Sequence, residues 1–164
     1  MDYHIAQFNV AQMIAPLDDP RMADFVAQLD EVNALAEHSP GFVWRLQTDE
    51  GNATDLRVYD ESAILVNMSV WTSIQALYDF TYKTNHVDVF RDRAKWFEKP
   101  KLLSLVLWWI EEGDIPSVQE GKTRLEELRL HGPSEYAFTF RQRYPKPYEA
   151  TRSFSRDMER HTWR

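Results

Sequence analysis

Two residues that could do chemistry lie seven positions apart in the stretch TYKTNHVDVFRDRAKWF, namely His86 and Arg93. At about 100° per residue, an α-helix over 86–97 would place their side chains within about 20° of each other. Apolar residues would flank them, and most charged residues would face the opposite side. A helix that only filled a core would carry leucine or isoleucine at both positions, so this pair is a candidate for a functional role.

Two interpretations of this pair stay open. His86 would begin the helix, where the dipole disfavours its protonated form, and neutral imidazole is the form that binds a metal or haem iron. Arg93, about 10 Å further along the helix, could then bind a carboxylate of the same ligand, such as a haem propionate. In the structural alternative, His86 caps the preceding helix and Arg93 pairs with an acidic residue nearby.

A second group of candidates consists of polar residues inside otherwise apolar strands: Gln7, Asn9, Asn67 and Ser69, with Arg45 as a further member. They could bond to loops or to water at the strand ends. Alternatively, they could line a cavity, because a few convergent polar groups in an apolar pocket are typical of a small-molecule site.

The elements that would position these residues follow from periodicity and capping signals. Strands are predicted at 3–13, 42–47, 63–71, 101–110 and 136–143. Helices are predicted from the Asp19-Pro20 cap to 36, from Thr72 or Ser73 to 82, around 86–97, and from the Ser117 capping box to Gly132. The polar segment 48–60 is predicted to be a loop, with a short strand at 56–59 as an option.

This order predicts an α+β fold, a ferredoxin-like unit with an antiparallel sheet over residues 1–143, followed by a polar tail at 144–164. The helices of such a unit cover one face of the sheet only. Because the strands are apolar on both faces, a second copy of the chain is expected on the other face, which predicts a homodimer.

Composition limits the function classes. The chain has 164 residues, enough for one domain, and its formal net charge of −7 argues against binding to nucleic acid. It has no cysteine, which removes disulfides and thiolate chemistry. We expect no membrane span and no leader, because the longest apolar run, 102–110, is too short, and we therefore expect a cytoplasmic location.

Residues 3–145 resemble an uncharacterised bacterial family, a domain of unknown function related to the spheroidene-monooxygenase-like branch of dimeric α/β-barrel proteins. The matching residues are Trp71, Ser73, Leu77, Phe80, Tyr82, His86, Arg93, Trp96-Phe97, Trp108-Trp109, Gly132-Pro133 and 137–140, together with the N-terminal HIAQFNVAQM. The resemblance implies a dimeric barrel and makes haem the leading candidate for a cofactor that the sequence does not identify. In that case His86 would be the axial ligand, Arg93 and Trp96 would complete the cofactor site, and Trp71 would join the substrate pocket.

Three functions remain as hypotheses. The first is a haem-dependent, monooxygenase-like oxidoreductase acting on a small apolar molecule. The second is a cofactor-free barrel enzyme in which His86 is the general base. The third is a non-catalytic dimer that binds a small ligand or pairs with another protein.

Overall fold

The computed structural model describes residues 2–47, 63–83 and 92–147. Two short 3-10 turns, Pro20–Met22 and Arg93–Lys95, accompany the regular elements. The regular elements, in chain order, are β1 (Tyr3–Gln12), α1 (Ala23–Glu37), β2 (Phe42–Arg45), β3 (Ile64–Trp71), α2 (Ile74–Lys83), β4 (Leu105–Glu111) and α3 (Val118–His131).

The helices begin where short polar side chains cap their free N–H groups. The Asp19 carboxylate accepts from the backbone N–H of Arg21 at 2.9 Å, in the 3-10 turn that leads into α1. The hydroxyls of Ser73 and Ser117 accept from backbone N–H groups at 3.0 and 3.1 Å and begin α2 and α3. Gly132, at φ 78°, ends α3. These boundaries agree with the sequence prediction because capping depends on neighbouring residues only.

The sheet confirms the predicted fold class. Its strand order is β2-β3-β1-β4, and every neighbouring pair is antiparallel. This arrangement, with helices in the β1–β2 and β3–β4 connections, is ferredoxin-like.

The two faces of the sheet are both covered by this chain. We call the face that carries Ile5 and Gln7 the amide face; α1 and α2 contribute side chains to the clusters packed on it. We call the opposite face, which carries the fully buried Phe8 and Trp108, the α3 face. The expectation that helices cover one face only is therefore wrong, because α3 packs on the second face.

The close approach of α3 depends on a glycine. A Cβ on Gly121 would lie 2.5 Å from the Phe8 ring, so only a residue without a side chain fits at this crossing. Leu125 and Leu128 of α3 are buried in the same cluster. Because α3 already buries this face, two-sided apolar strands do not require a second copy of the chain, and the homodimer stays a prediction.

Several element boundaries differ from the prediction. β4 begins at Leu105, and the preceding Leu102 and Leu103 are 64% and 49% exposed. The predicted strand at 136–143 is reduced to a single bridge pair between Leu107 and Phe138. The second half of the predicted helix at 86–97 is instead a 3-10 turn followed by Phe97, which forms an isolated bridge with Met13.

The segment that follows the predicted domain end contacts the domain at β4 and at the N-terminal end of β1. The Trp109 indole N–H donates to the Tyr144 carbonyl at 2.8 Å, and Lys146 pairs with Asp2 at 3.2 Å. Residues 144–147 therefore lie against the domain. The rest of the predicted tail and the segments 48–62 and 84–91 lie outside the described residues.

Candidate functional site

The register of β1 and β3 brings the polar strand residues together. Gln7 lies opposite Ser69, and Asn9 lies opposite Asn67. Since side chains two residues apart on a strand share a face, all four side chains lie on the amide face. With Trp71, which follows Ser69 on the same face, they form what we call the amide–serine cluster.

Hydrogen bonds connect every member of the amide–serine cluster. The Gln7 amide nitrogen donates to Asn67 Oδ1 at 2.6 Å and to Ser69 Oγ at 2.8 Å. The Asn9 amide nitrogen donates to Gln7 Oε1 at 2.8 Å and to Asn67 Oδ1 at 3.3 Å. The Trp71 indole N–H donates to Ser69 Oγ at 2.9 Å. These hydrogen bonds therefore fix the orientation of each side chain in the cluster relative to its neighbours.

The cluster runs from the buried interior to the surface. Trp71, Gln7 and Ser69 are 1%, 3% and 8% exposed. Asn9 is half-buried and Asn67 is exposed. The cluster thus has a buried end at Ser69 and an open end at Asn67.

Apolar clusters lie on both sides of the polar residues along the strands. At one end, Ile5, Trp71 and Leu107 pack with Leu77 of α2 and with Phe138. At the other end, the cluster is formed by Met13, Met22, Phe25 and Trp96, with Leu65 packed against it. The polar residues therefore interrupt an otherwise apolar layer, which is the composition of a small-molecule site.

The positive charge of Arg45, beside the amide–serine cluster, is paired with a carboxylate. Arg45 lies opposite Ser69 in the β2–β3 register, and its side chain is only 12% exposed. Its Nε donates to Glu37 Oε1 at 2.8 Å, an ion pair with the last residue of α1. The sequence pattern groups Arg45 with the pocket residues but does not indicate Glu37, because the two residues meet only when α1 packs beside β2.

The residues expected to bind haem are distributed differently. Arg93 is exposed on its 3-10 turn, and Trp96 is 3% exposed with its ring packed on Phe25 at 5.6 Å. They do not share the apolar face of a helix as predicted, because the chain is not α-helical there. The roles of Arg93 and Trp96 in a cofactor site stay predictions. His86 lies outside the described residues.

The described part of the chain contains neither a candidate metal site nor a candidate membrane-spanning helix. No cluster of three or more His, Asp or Glu side chains could hold a metal ion among residues 2–47, 63–83 and 92–147. Within these ranges, no helix combines the length and apolar character that crossing a membrane requires. The cytoplasmic location stays a prediction.

Comparison with known families decides the assignment. The model of a domain of unknown function, DUF3291, matches residues 4–154. The chain belongs to the DUF3291 family. This confirms the assignment to a domain-of-unknown-function family, and the match passes the predicted domain end at 143. A comparison of the DUF3291 chain with curated proteins gives no match.

Two solved structures resemble the DUF3291 chain at low identity. SnoaB, a cofactor-independent oxygenase from Streptomyces nogalater, is 17% identical with a TM-score of 0.48, over 71% of this chain and 100% of its own. The protein NE2512 of unknown function from Nitrosomonas europaea is 10% identical with a TM-score of 0.46, over 70% of this chain and 96% of its own. At these values, neither protein's chemistry is transferred to this chain.

Proposed function

We propose that this DUF3291 protein binds a small, largely apolar molecule that carries an uncharged polar group, with that group over the amide–serine cluster. The observation that carries the proposal is the position of this cluster, which is uncharged, partly buried and open at one end, between two apolar clusters on one sheet face. On such a surface, burial of apolar area binds the body of a ligand, and hydrogen bonds to the cluster orient its polar group.

The open end distinguishes a binding site from a purely structural network. A network that only stabilises a core closes on itself, with every polar atom paired. The amide nitrogen of Asn67, by contrast, has no hydrogen-bond partner among the described residues, and Asn67 is exposed. Its two N–H groups are available to a ligand.

The electrostatics favour a neutral ligand. No member of the cluster ionises near neutral pH, and Arg45 is already paired with Glu37. A charged ligand would lose hydration without gaining a counter-charge from the cluster, which costs several kcal/mol in a buried site. A carboxylate or an amine is therefore a poor ligand.

The same composition limits what the cluster can do in catalysis. Asn, Gln, Ser and Trp side chains can orient a ligand, but none accepts a proton readily near neutral pH. A cofactor-free enzyme would need a base from elsewhere, and His86 is the residue we propose for it. A haem-dependent oxygenase remains the alternative, with His86 as axial ligand.

Binding is tested with Nile red, an uncharged apolar dye that carries a carbonyl and changes fluorescence in apolar surroundings. We expect saturable binding to the wild-type chain and at least a severalfold weaker affinity for Asn67→Leu, because hydrogen bonds contribute about 0.5–1.5 kcal/mol each. The matched control is Gln119→Leu, an exposed amide on α3 that donates to the Thr123 hydroxyl. Folded wild-type protein that does not bind the dye saturably, or equal affinity in Asn67→Leu, would contradict the proposal.

The cofactor is tested by an absorption spectrum after addition of haemin to wild type and to His86→Ala. A Soret band that is lost in the variant would assign His86 as a haem ligand. Wild-type protein that takes up no haemin would refute the haem alternative. The homodimer is tested separately by the sedimentation mass of the same preparation.

A further inference from the structure

The Ser69 hydroxyl at the buried end of the cluster has its acceptor capacity filled. A hydroxyl has one hydrogen to donate and two lone pairs. Ser69 Oγ accepts from Trp71 Nε1 at 2.9 Å and from Gln7 Nε2 at 2.8 Å, so both lone pairs are used. Only its hydrogen is left, and among the described residues no acceptor receives it.

At the open end of the cluster, the acceptor capacity of Asn67 is filled in the same way. Asn67 Oδ1 accepts from Gln7 at 2.6 Å and from Asn9 at 3.3 Å, which fills its two lone pairs. What Asn67 can still offer is its two amide hydrogens. Both polar residues that β3 contributes therefore present donors only.

The residues that donate to Ser69 and Asn67 are themselves held in fixed orientations. Trp71 stacks on Phe80 with ring centroids 5.0 Å apart and meets Phe42 edge-on at 5.5 Å. Because the indole is 1% exposed and packed on two sides, its N–H stays directed at Ser69. Gln7 donates one amide hydrogen to Ser69 and the other to Asn67, and its amide cannot rotate without losing both hydrogen bonds.

From this count we propose that the ligand's polar group is a hydrogen-bond acceptor, a carbonyl-type oxygen that receives a hydrogen from Ser69, with Asn67 as a second donor. The inference rests on the proposed function and adds the chemical class of the group that is bound. A ligand N–H directed at Ser69 would meet another hydrogen. An apolar group there would leave the buried hydroxyl hydrogen unpaired, which is costly.

The test uses 9-fluorenone and fluorene, which have the same ring frame but carry C=O and CH₂ at one position. We measure both dissociation constants and take the affinity ratio of ketone to hydrocarbon. We expect this ratio to fall about three- to tenfold in Ser69→Ala, the equivalent of one neutral hydrogen bond. Ser134→Ala is the matched control, because Ser134 accepts from Ala137 in the turn after α3 and lies outside the cluster.

A second variant and a second readout cover a failure of Ser69→Ala to fold. Ser69→Thr keeps the hydroxyl and is expected to keep the wild-type ratio. In wild type and in Ser69→Thr, the carbonyl stretch of bound fluorenone should lie at lower wavenumber than in an apolar solvent. An unchanged ratio in folded Ser69→Ala, or an unshifted stretch in wild type, would overturn the inference. The proposed function would then still stand if both compounds bind. If neither compound binds to wild type, the proposed function fails, and this inference fails with it.

Discussion

The crossing of α3 over β1 leads to a specific prediction about the stability of the fold. In Gly121→Ala, the new methyl group would lie 2.5 and 2.6 Å from two ring carbons of Phe8 and 2.9 Å from its Cβ. Phe8 is fully buried, and its Cβ is tied to the strand backbone. The clash therefore cannot be relieved by swinging a flexible side chain into solvent.

Two opposing contributions set the change in the free energy of unfolding that we expect for Gly121→Ala. Alanine in a helix interior is favoured over glycine by about 1 kcal/mol. Restoring an ordinary carbon–carbon contact of about 3.5 Å requires a shift of about 1 Å between α3 and the sheet, and overpacking of this kind costs about 1–3 kcal/mol. We expect the clash to win, with a net loss of about 1 kcal/mol, which lowers Tm by about 2–4 °C in a chain of this size.

The assay is thermal and urea unfolding of Gly121→Ala, of Phe8→Leu and of the double variant. The control is Thr123→Ala, an exposed position of the same helix where alanine should be neutral or stabilising. If the clash is real, Phe8→Leu removes part of it, and the double variant is more stable than the sum of the single changes predicts. A Gly121→Ala protein that is stabilised like Thr123→Ala, or strictly additive with Phe8→Leu, would refute this account of the crossing.

Two further predictions concern the ends of the described structure. A chain ending at 143 should have a lower Tm than one ending at 147, because it loses the bond from Trp109 to the Tyr144 carbonyl; equal Tm values would show that this segment adds nothing to stability. The side-chain and backbone hydrogen bonds of Arg21 lower the pKa of Asp19 below 3.8, so this carboxylate stabilises the folded state above that pH and loses its effect as pH falls through the lowered pKa. Asp19→Ala should therefore be less stable than wild type near neutral pH, with a smaller difference in acid, and a difference in Tm that does not change with pH would contradict this.

The parts of the fold that follow from local rules were predictable. Capping at Asp19, Ser73 and Ser117 depends on side chains within three residues of the N–H groups they satisfy, so the beginnings of the helices could be identified directly. The alternation in β1 placed Gln7 and Asn9 on one face by the two-residue period of a strand.

Helical periodicity failed around Arg93 for a physical reason. The spacing of the apolar residues fits a helix, but Trp96 is buried against Phe25 and Phe97 bridges to Met13, contacts with a distant part of the chain that hold a 3-10 turn instead. Long-range packing outweighs local propensity, which is worth only tenths of a kcal/mol per residue. Arg93 consequently lies on the surface.

The sequence by itself determined the α+β class, the succession along the chain of the four sheet strands and of α1, α2 and α3, and the set of uncharged polar residues in the strands. These features depend on neighbouring residues and on periodicity. Only the tertiary structure decided that α3 covers the second face and that Gln7 bonds to Ser69, 62 residues away along the chain. Alternation tells which residues share a face of their own strand, but strand order and register decide which residues meet across strands. Those depend on the packing of the whole domain.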